Sequence, residues 1–464
     1  VKYAWLAIGI FTARFLATAI AYPQLDGDLA WQRWLGALIL RVHAIPRALG
    51  NETFTAAGAP WVPQEWAFSI GAALGARGAG WVVFAGSVAL AASIALAIAA
   101  LHAERLGASP RANVLCTCAA GVALFASFGV RAQVVAWPLV ALFLYLLDLE
   151  SPLAYVAVAV AALWSNVHAS AMLAPVLAAA AAVGTLIDEG PRSANVRRRA
   201  TIAAFCALAI CCNPFGFRLP LYAIGLFSSP FKAAISEWKP TDLGDASFAI
   251  GALPLLLVAF IWVAGPSARR ARDTIVLAAF AYLLLAATRN VAIFGIASLP
   301  LVASALSRRV AVFARMDGDA LPAGPARFVL PAFAAVLALV VGVGLLRSEA
   351  RRDDGVAIRA MASVATLPGE RRVFCADFAW CGLAVGDPHA SVFLDGRADP
   401  YPERVWDDYL TVARLHAAWR TTLDAHGVDT IVTARDSALD DALSRVRGWQ
   451  TSYADRRYRV WVRT

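Results

Sequence analysis

The sequence predicts a polytopic α-helical membrane protein of about 11 transmembrane helices with a C-terminal extracytoplasmic α/β domain. Three observations lead there. Of 464 residues, 60% are hydrophobic and 16% charged, whereas a soluble domain carries roughly 25% charged residues. Apolar runs recur from Trp5 to Leu346, most of them near the roughly 20 residues a bilayer crossing needs. After Arg347 charges become frequent and no further run is long enough to span. The expected division is a transmembrane domain at 1–346 and a soluble domain at 347–464.

The expected span cores are 5–22, 81–101, 114–128, 134–147, 153–164, 172–187, 200–212, 248–263, 274–287, 291–306 and 328–346. The first ends at Tyr22-Pro-Gln rather than at a small-residue cleavage site, so it reads as a retained helix and not a signal peptide. Arg14 stands in mid-span of that helix, where an unpaired charge costs about 2.5–3.5 kcal/mol, and a partner inside the bundle is expected.

Orientation follows from arginine. The connections holding Arg105 and Arg111, Arg192 with Arg197 to Arg199, Arg269, Arg270 and Arg272, and Arg308, Arg309 and Arg315 fall on one side. The positive-inside rule makes that side cytoplasmic. The acidic connection 148–151 is an outlier too short to outvote them. An odd number of spans then puts the C-terminal domain outside the cytoplasm. The net charge of +9 sits largely in short inter-helix loops, which argues against nucleic acid as a partner. Seven cysteines without a CxxC motif fit neither a zinc site nor a disulfide scaffold. Cys375 and Cys381 form either one disulfide across a turn or two free thiols.

The extracytoplasmic segments hold the polar residues suited to chemistry. In Gln24-Leu-Asp-Gly-Asp28 a glycine lets Asp26 and Asp28 turn toward one point, as a general base or a divalent-metal site requires. The alternative is a helix N-cap, since Asp28 precedes an amphipathic run. Trp61 and Trp66 suit the headgroup belt, and Glu65 suits a helix N-terminus. Arg131, Asn166, His168 and Arg289 each fall at an extracytoplasmic helix end. Guanidinium groups pair bidentately with phosphate oxygens, although snorkelling toward headgroups explains any single arginine equally. Asp28, His168 and Arg289 are expected to border one water-filled cavity, because charges at that depth must pair or face water.

In the soluble domain 372–375, 391–394, 429–433 and 458–462 read as strands, and 406–419, 421–426 and 438–446 as helices. Asp395-Gly-Arg397 follows a strand end, either as a ligand-facing loop or as a plain Asp–Arg turn. No nucleotide-binding glycine motif and no nucleophile elbow occurs there.

With these residues placed, the chain resembles the GT-C glycosyltransferase superfamily, most nearly bacterial membrane proteins distantly like protein O-mannosyltransferases and the aminoarabinose transferases of lipid A. The carriers are Asp26-Gly-Asp28-Leu-Ala-Trp31, Gly58-Ala-Pro-Trp-Val-Pro-Gln-Glu-Trp66, Arg131-Ala-Gln133, Trp164-Ser-Asn-Val-His168, Asn213-Pro-Phe-Gly216, Glu237-Trp238, Arg289-Asn290, and Phe393-Leu-Asp-Gly-Arg397 with Asp399 and Tyr401. The resemblance implies a donor sugar on a polyprenyl phosphate or pyrophosphate and an acidic catalytic base or metal ligand at Asp26 or Asp28. The function expected from it and from the residues together is an inverting transfer of a sugar from a polyprenyl-phosphate-linked donor to an extracytoplasmic acceptor. Asp28 would be the base, with Asp26 supporting it or sharing a divalent metal. Arg131, His168 and Arg289 would bind the donor phosphate, and Glu65, Asn166, Glu237, Asp395 and Arg397 would support the site or the acceptor. The alternative is a non-enzymatic envelope membrane protein that binds lipid or protein partners.

Overall fold

The computed structural model describes residues 2–21, 27–76, 79–226, 234–242, 244, 248–264, 270–313 and 357–464. Its contacts divide the chain into two compact units. One comprises Val1–Tyr22, Trp81–Ala223 and Ile235–Ala350, and the other Pro23–Gly80, Ile224–Ala234 and Arg351–Thr464.

The first unit is helical. The described part of each expected apolar run before Arg309 falls mostly on helix, from Lys2–Ile20 to Val291–Arg309. Among the described residues three helical segments are long and apolar enough to cross a membrane: Ala79–Arg105, Ala169–Glu189 and Thr288–Arg309. The expected span at 328–346 and the domain boundary at 346 lie outside the described residues. Small residues bring the helices close, as membrane packing favours. A Cβ on Gly121 would fall 2.3 Å from the Phe11 ring, and one on Gly184 would fall 2.1 Å from the Arg272 backbone. Arg14, for which a partner inside the bundle is expected, is buried with its guanidinium carbon 4.5 Å from the centre of the Phe125 ring.

The acidic connection that opposed the arginine pattern has a physical resolution. Asp148 accepts from His102 Nε2 at 2.5 Å and pairs with Arg272 at 2.6 Å. Arg272 also pairs with Asp273 at 2.5 Å, and the nearby Arg199 donates to Thr185 Oγ1 at 2.6 Å. The carboxylate is thus paired with His102 and Arg272, and buried charge is tolerated when paired in this way.

The second unit is built on a five-stranded sheet of order β2-β1-β3-β5-β4, with β1 Arg371–Cys375, β2 Ala390–Val392, β3 Thr430–Ala434, β4 Trp449–Ala454 and β5 Tyr458–Arg463. β1 runs parallel to β2 and β3, while β5 is antiparallel to β3 and β4. The expected helix 406–419 instead ends at Ala413, and the next, expected at 421–426, begins at Trp419, because Leu415 between them takes a left-handed conformation (φ 55°) that no α-helix continues through. Cys375 and Cys381 are joined by a disulfide, with Cα atoms 5.8 Å apart.

The first long loop belongs to this unit. Residues 51–55 run beside β2 as an added edge: Val392 N donates to Glu52 O at 2.9 Å, Phe54 N to Val392 O at 3.3 Å, and Ser391 Oγ to Asn51 O at 2.8 Å. The helix Gly27–Val42 buries Leu29, Trp31, Leu35 and Ile39 on one face. It packs on the helix Trp66–Leu74, where a Cβ on Gly36 would fall 1.9 Å from the Ser69 carbonyl oxygen.

Candidate functional site

In the first unit, two short turns bring distant arginines around one carboxylate. Arg131 sits in extended conformation immediately before the helix Ala132–Leu147, and its guanidinium is ion-paired with Glu237. Glu237 lies in the turn Ser236–Trp238. Arg289 lies in the turn Thr288–Asn290, between the helices Ala271–Ala286 and Val291–Arg309. It donates to Gln133 Oε1 at 3.2 Å, and its guanidinium carbon is 4.5 Å from the centre of the Trp238 ring. The two turns are tied by backbone, with Thr288 N donating to Lys239 O at 3.0 Å. Burial by itself would raise the Glu237 carboxyl, but the charges of Arg131 and Arg289 outweigh it and hold the group below the ordinary carboxylate range.

His168 precedes the turn Ala169–Met172, and its Nδ1 accepts from the Ser170 amide at 3.1 Å. Burial, reinforced by the Arg289 charge, pushes its imidazole down to about 3. The ring is therefore neutral at physiological pH, and with Nδ1 accepting, its proton sits on Nε2. Asn166 donates to the carbonyls of Ala162 (2.9 Å) and Cys212 (2.8 Å), joining the ends of two helices. Arg131, His168, Glu237 and Arg289 are thus one electrostatic group, in which two guanidiniums face a single carboxylate beside a neutral hydrogen-bond donor. Such a set can hold an anion with several oxygens.

The second unit holds the other expected residues. Asp28 lies within the first turn of the helix Gly27–Val42 rather than before it, and is half-buried against Gly396. Glu65 accepts from Gln32 and, at 2.9 Å, from Gln64; it makes no side-chain cap to the helix that follows it. Asp395 and Arg397 are fully buried and paired at 2.5 Å. Arg397 also donates to Glu52 at 2.6 Å, and Tyr401 donates to Asp395 at 2.7 Å. Burial opposes the Arg397 charge, yet Asp395, Tyr401 and Glu52 together raise its affinity for the proton well above the ordinary value. The rings of Trp34 and Trp61 lie 5.6 and 5.1 Å from its guanidinium carbon. Trp61, expected in the headgroup belt, is buried in this cluster instead. Glu52 and Trp34 carried no sequence signal, because each is a single residue whose partner is remote in the chain.

Asp26 lies outside the described residues. Among the described residues no group of three or more His, Cys, Asp or Glu side chains is placed to hold a metal ion.

No family model matches the sequence, and no curated protein does. Solved structures do match. The oligosaccharyltransferase AglB from Archaeoglobus fulgidus, in complex with an inhibitory peptide and a dolichol-phosphate, aligns at 13% identity and a TM-score of 0.58, covering 93% of this chain and 69% of AglB. ArnT from Cupriavidus metallidurans, in the apo state, aligns at 14% identity and a TM-score of 0.52, covering 98% of this chain and 97% of ArnT. Both are GT-C glycosyltransferases. The chain is a membrane protein with the GT-C fold, mostly helical and carrying a small C-terminal sheet.

Proposed function

We propose that the protein transfers a sugar from a polyprenyl-phosphate-linked donor to an acceptor on the extracytoplasmic side, with inversion at the anomeric carbon. The observation that carries this reading is the cluster of Arg131, Arg289, Glu237 and His168 in a chain of this fold. The two guanidiniums and the His168 Nε2 proton would bind the donor phosphate and stabilise the charge it gains as the glycosidic bond breaks. Asp28 would take the proton of the acceptor hydroxyl as that oxygen attacks the anomeric carbon. Asp26 would support Asp28 or help it hold a divalent ion, which would supply charge stabilisation there, and EDTA treatment followed by Mg2+ or Mn2+ readdition tests the metal.

The proposed topology has about eleven spans and places the C-terminal domain outside the cytoplasm. The Cys375–Cys381 disulfide supports that placement, since disulfides persist in oxidising compartments.

The experiment is to purify the full chain in detergent and offer it undecaprenyl-phosphate-linked mannose, glucose and aminoarabinose with an envelope extract as acceptor. Release of undecaprenyl phosphate coupled to sugar transfer is expected for at least one donor. Tight binding of undecaprenyl phosphate without transfer of any sugar would instead mark a lipid-binding envelope protein.

A further inference from the structure

Around Asp28 the chain places glycines at points of close approach within the second unit. A Cβ on Gly396 would fall 2.3 Å from Asp28 Oδ1 and 3.3 Å from Trp31 Nε1. A Cβ on Gly27 would fall 1.8 Å from the Ala379 carbonyl oxygen, and one on Gly382 would fall 2.3 Å from the Gly27 carbonyl oxygen. Ala379 lies in the turn that the Cys375–Cys381 disulfide closes. The start of the Asp28 helix therefore rests on two loops of the sheet domain, the disulfide turn and Asp395-Gly396-Arg397.

We propose that Gly396 is a positioning residue for the Asp28 carboxylate, so that the sheet domain sets where the candidate base points. The proposal rests on the transferase reading above. Its physical basis is an asymmetry in what can yield. The loop carrying Gly396 is fixed from both sides: Arg397 N donates to Asp395 Oδ1 at 3.0 Å, Ala398 N to Asp395 O at 3.1 Å, and the Arg397 guanidinium is held by Asp395 and Glu52. The Asp28 contact, in contrast, is with a side-chain oxygen rather than with backbone. A methyl group at position 396 thus displaces the base and leaves the fold in place. The close contacts at Gly27 and Gly382 are with backbone carbonyls, where substitution would disturb packing itself.

The test uses the full chain in detergent. Gly396→Ala should melt close to wild type, yet lose about 10- to 100-fold in kcat for whichever undecaprenyl-phosphate sugar the wild type transfers. Its KM for that donor should be unchanged, since misplacing a reacting group by about 1 Å has an effect of that size. Asp28→Glu keeps the acid but lengthens its reach, and should show the same split; it serves as the second variant if Gly396→Ala folds poorly. A separate arm needs no donor. The N-ethylmaleimide reaction rate of Asp28→Cys, read on its own peptide by mass spectrometry, should change several-fold when Gly396→Ala is added. Wild-type kcat in either transfer variant, or an unchanged maleimide rate, overturns the proposal. If the wild type transfers no sugar at all, the transferase reading fails, and the maleimide arm alone decides whether residue 396 sets the position of residue 28.

Discussion

Arg397 donates to Glu52 across 2.6 Å, although the two residues are 345 positions apart in the chain. The contact binds the first long loop to the sheet domain through a side chain that is also paired with Asp395. Removing one member of a buried ion pair costs about 3–5 kcal/mol, because the remaining charges stay desolvated. Arg397→Met, which strands both Asp395 and Glu52, should therefore lower the stability of the full chain by about that much. Glu52→Gln keeps the Arg397–Asp395 pair and should cost only about 1–3 kcal/mol. Denaturant titration of the two variants checks the order, and equal losses would show that Glu52 carries the cluster.

The disulfide gives a second expectation. Peptide mapping without reduction should recover Cys375 and Cys381 in one bridged peptide, since the residues are bonded in the structure. Closing so short a loop restricts the unfolded chain by about 2 kcal/mol, so Cys375→Ser with Cys381→Ser should destabilise the sheet domain by a similar amount. Recovery of both thiols free, in protein prepared without reductant, would remove the support they give to an extracytoplasmic placement.

That placement has its own test. Alkaline phosphatase fused after Thr464 should be active and a cytoplasmic reporter at the same point silent, because arginine-rich connections alternate with arginine-poor ones. The reverse result ends the topology.

Much of the architecture was legible because it rests on periodicity and composition. Apolar runs marked the helices of the first unit, and short apolar stretches marked β1, β2, β3 and β5. β4 was missed for a physical reason: it is an edge strand, mostly exposed from Trp449 to Ala454, with no buried face to impose an apolar pattern. Of the named site residues, Arg131, His168, Glu237 and Arg289 form a group because each terminates or links helices at loops that the expected topology puts on one side. Glu52 was invisible. A lone glutamate in a polar loop has no period, and its function depends on an arginine that only the folded chain brings near.

His168 should make stability depend on pH in a defined direction. Its folded value of about 3 lies below the ordinary 6.5, so between those values the unfolded chain binds more protons. The contribution is complete above pH 6.5 and is lost as pH falls toward 3. His168→Gln has no group titrating in that window, and its melting temperature should fall less steeply on acidification below pH 6.5. Parallel slopes for variant and wild type would show that the imidazole is not held neutral by burial and Arg289.

Arg289 and Asp28 separate donor binding from chemistry. Arg289 is placed beside Gln133, Trp238 and the carboxylate of Glu237, and a phosphate arriving there would meet a guanidinium already oriented by stacking. Loss of one charge-assisted hydrogen bond costs about 1.5–3 kcal/mol, which is about 10- to 100-fold in affinity. Arg289→Ala should weaken undecaprenyl-phosphate binding by that factor, and Arg289→Lys by less, because it keeps the charge but not the planar fork. Asp28→Asn preserves shape and removes the base. It should bind undecaprenyl phosphate as the wild type does while transferring sugar about 100-fold more slowly or worse. Measuring all three variants with one lipid, by calorimetry for binding and by product release for transfer, distinguishes the roles. Unchanged affinity in Arg289→Ala would remove the phosphate assignment, and normal turnover by Asp28→Asn would remove the base, each without touching the other.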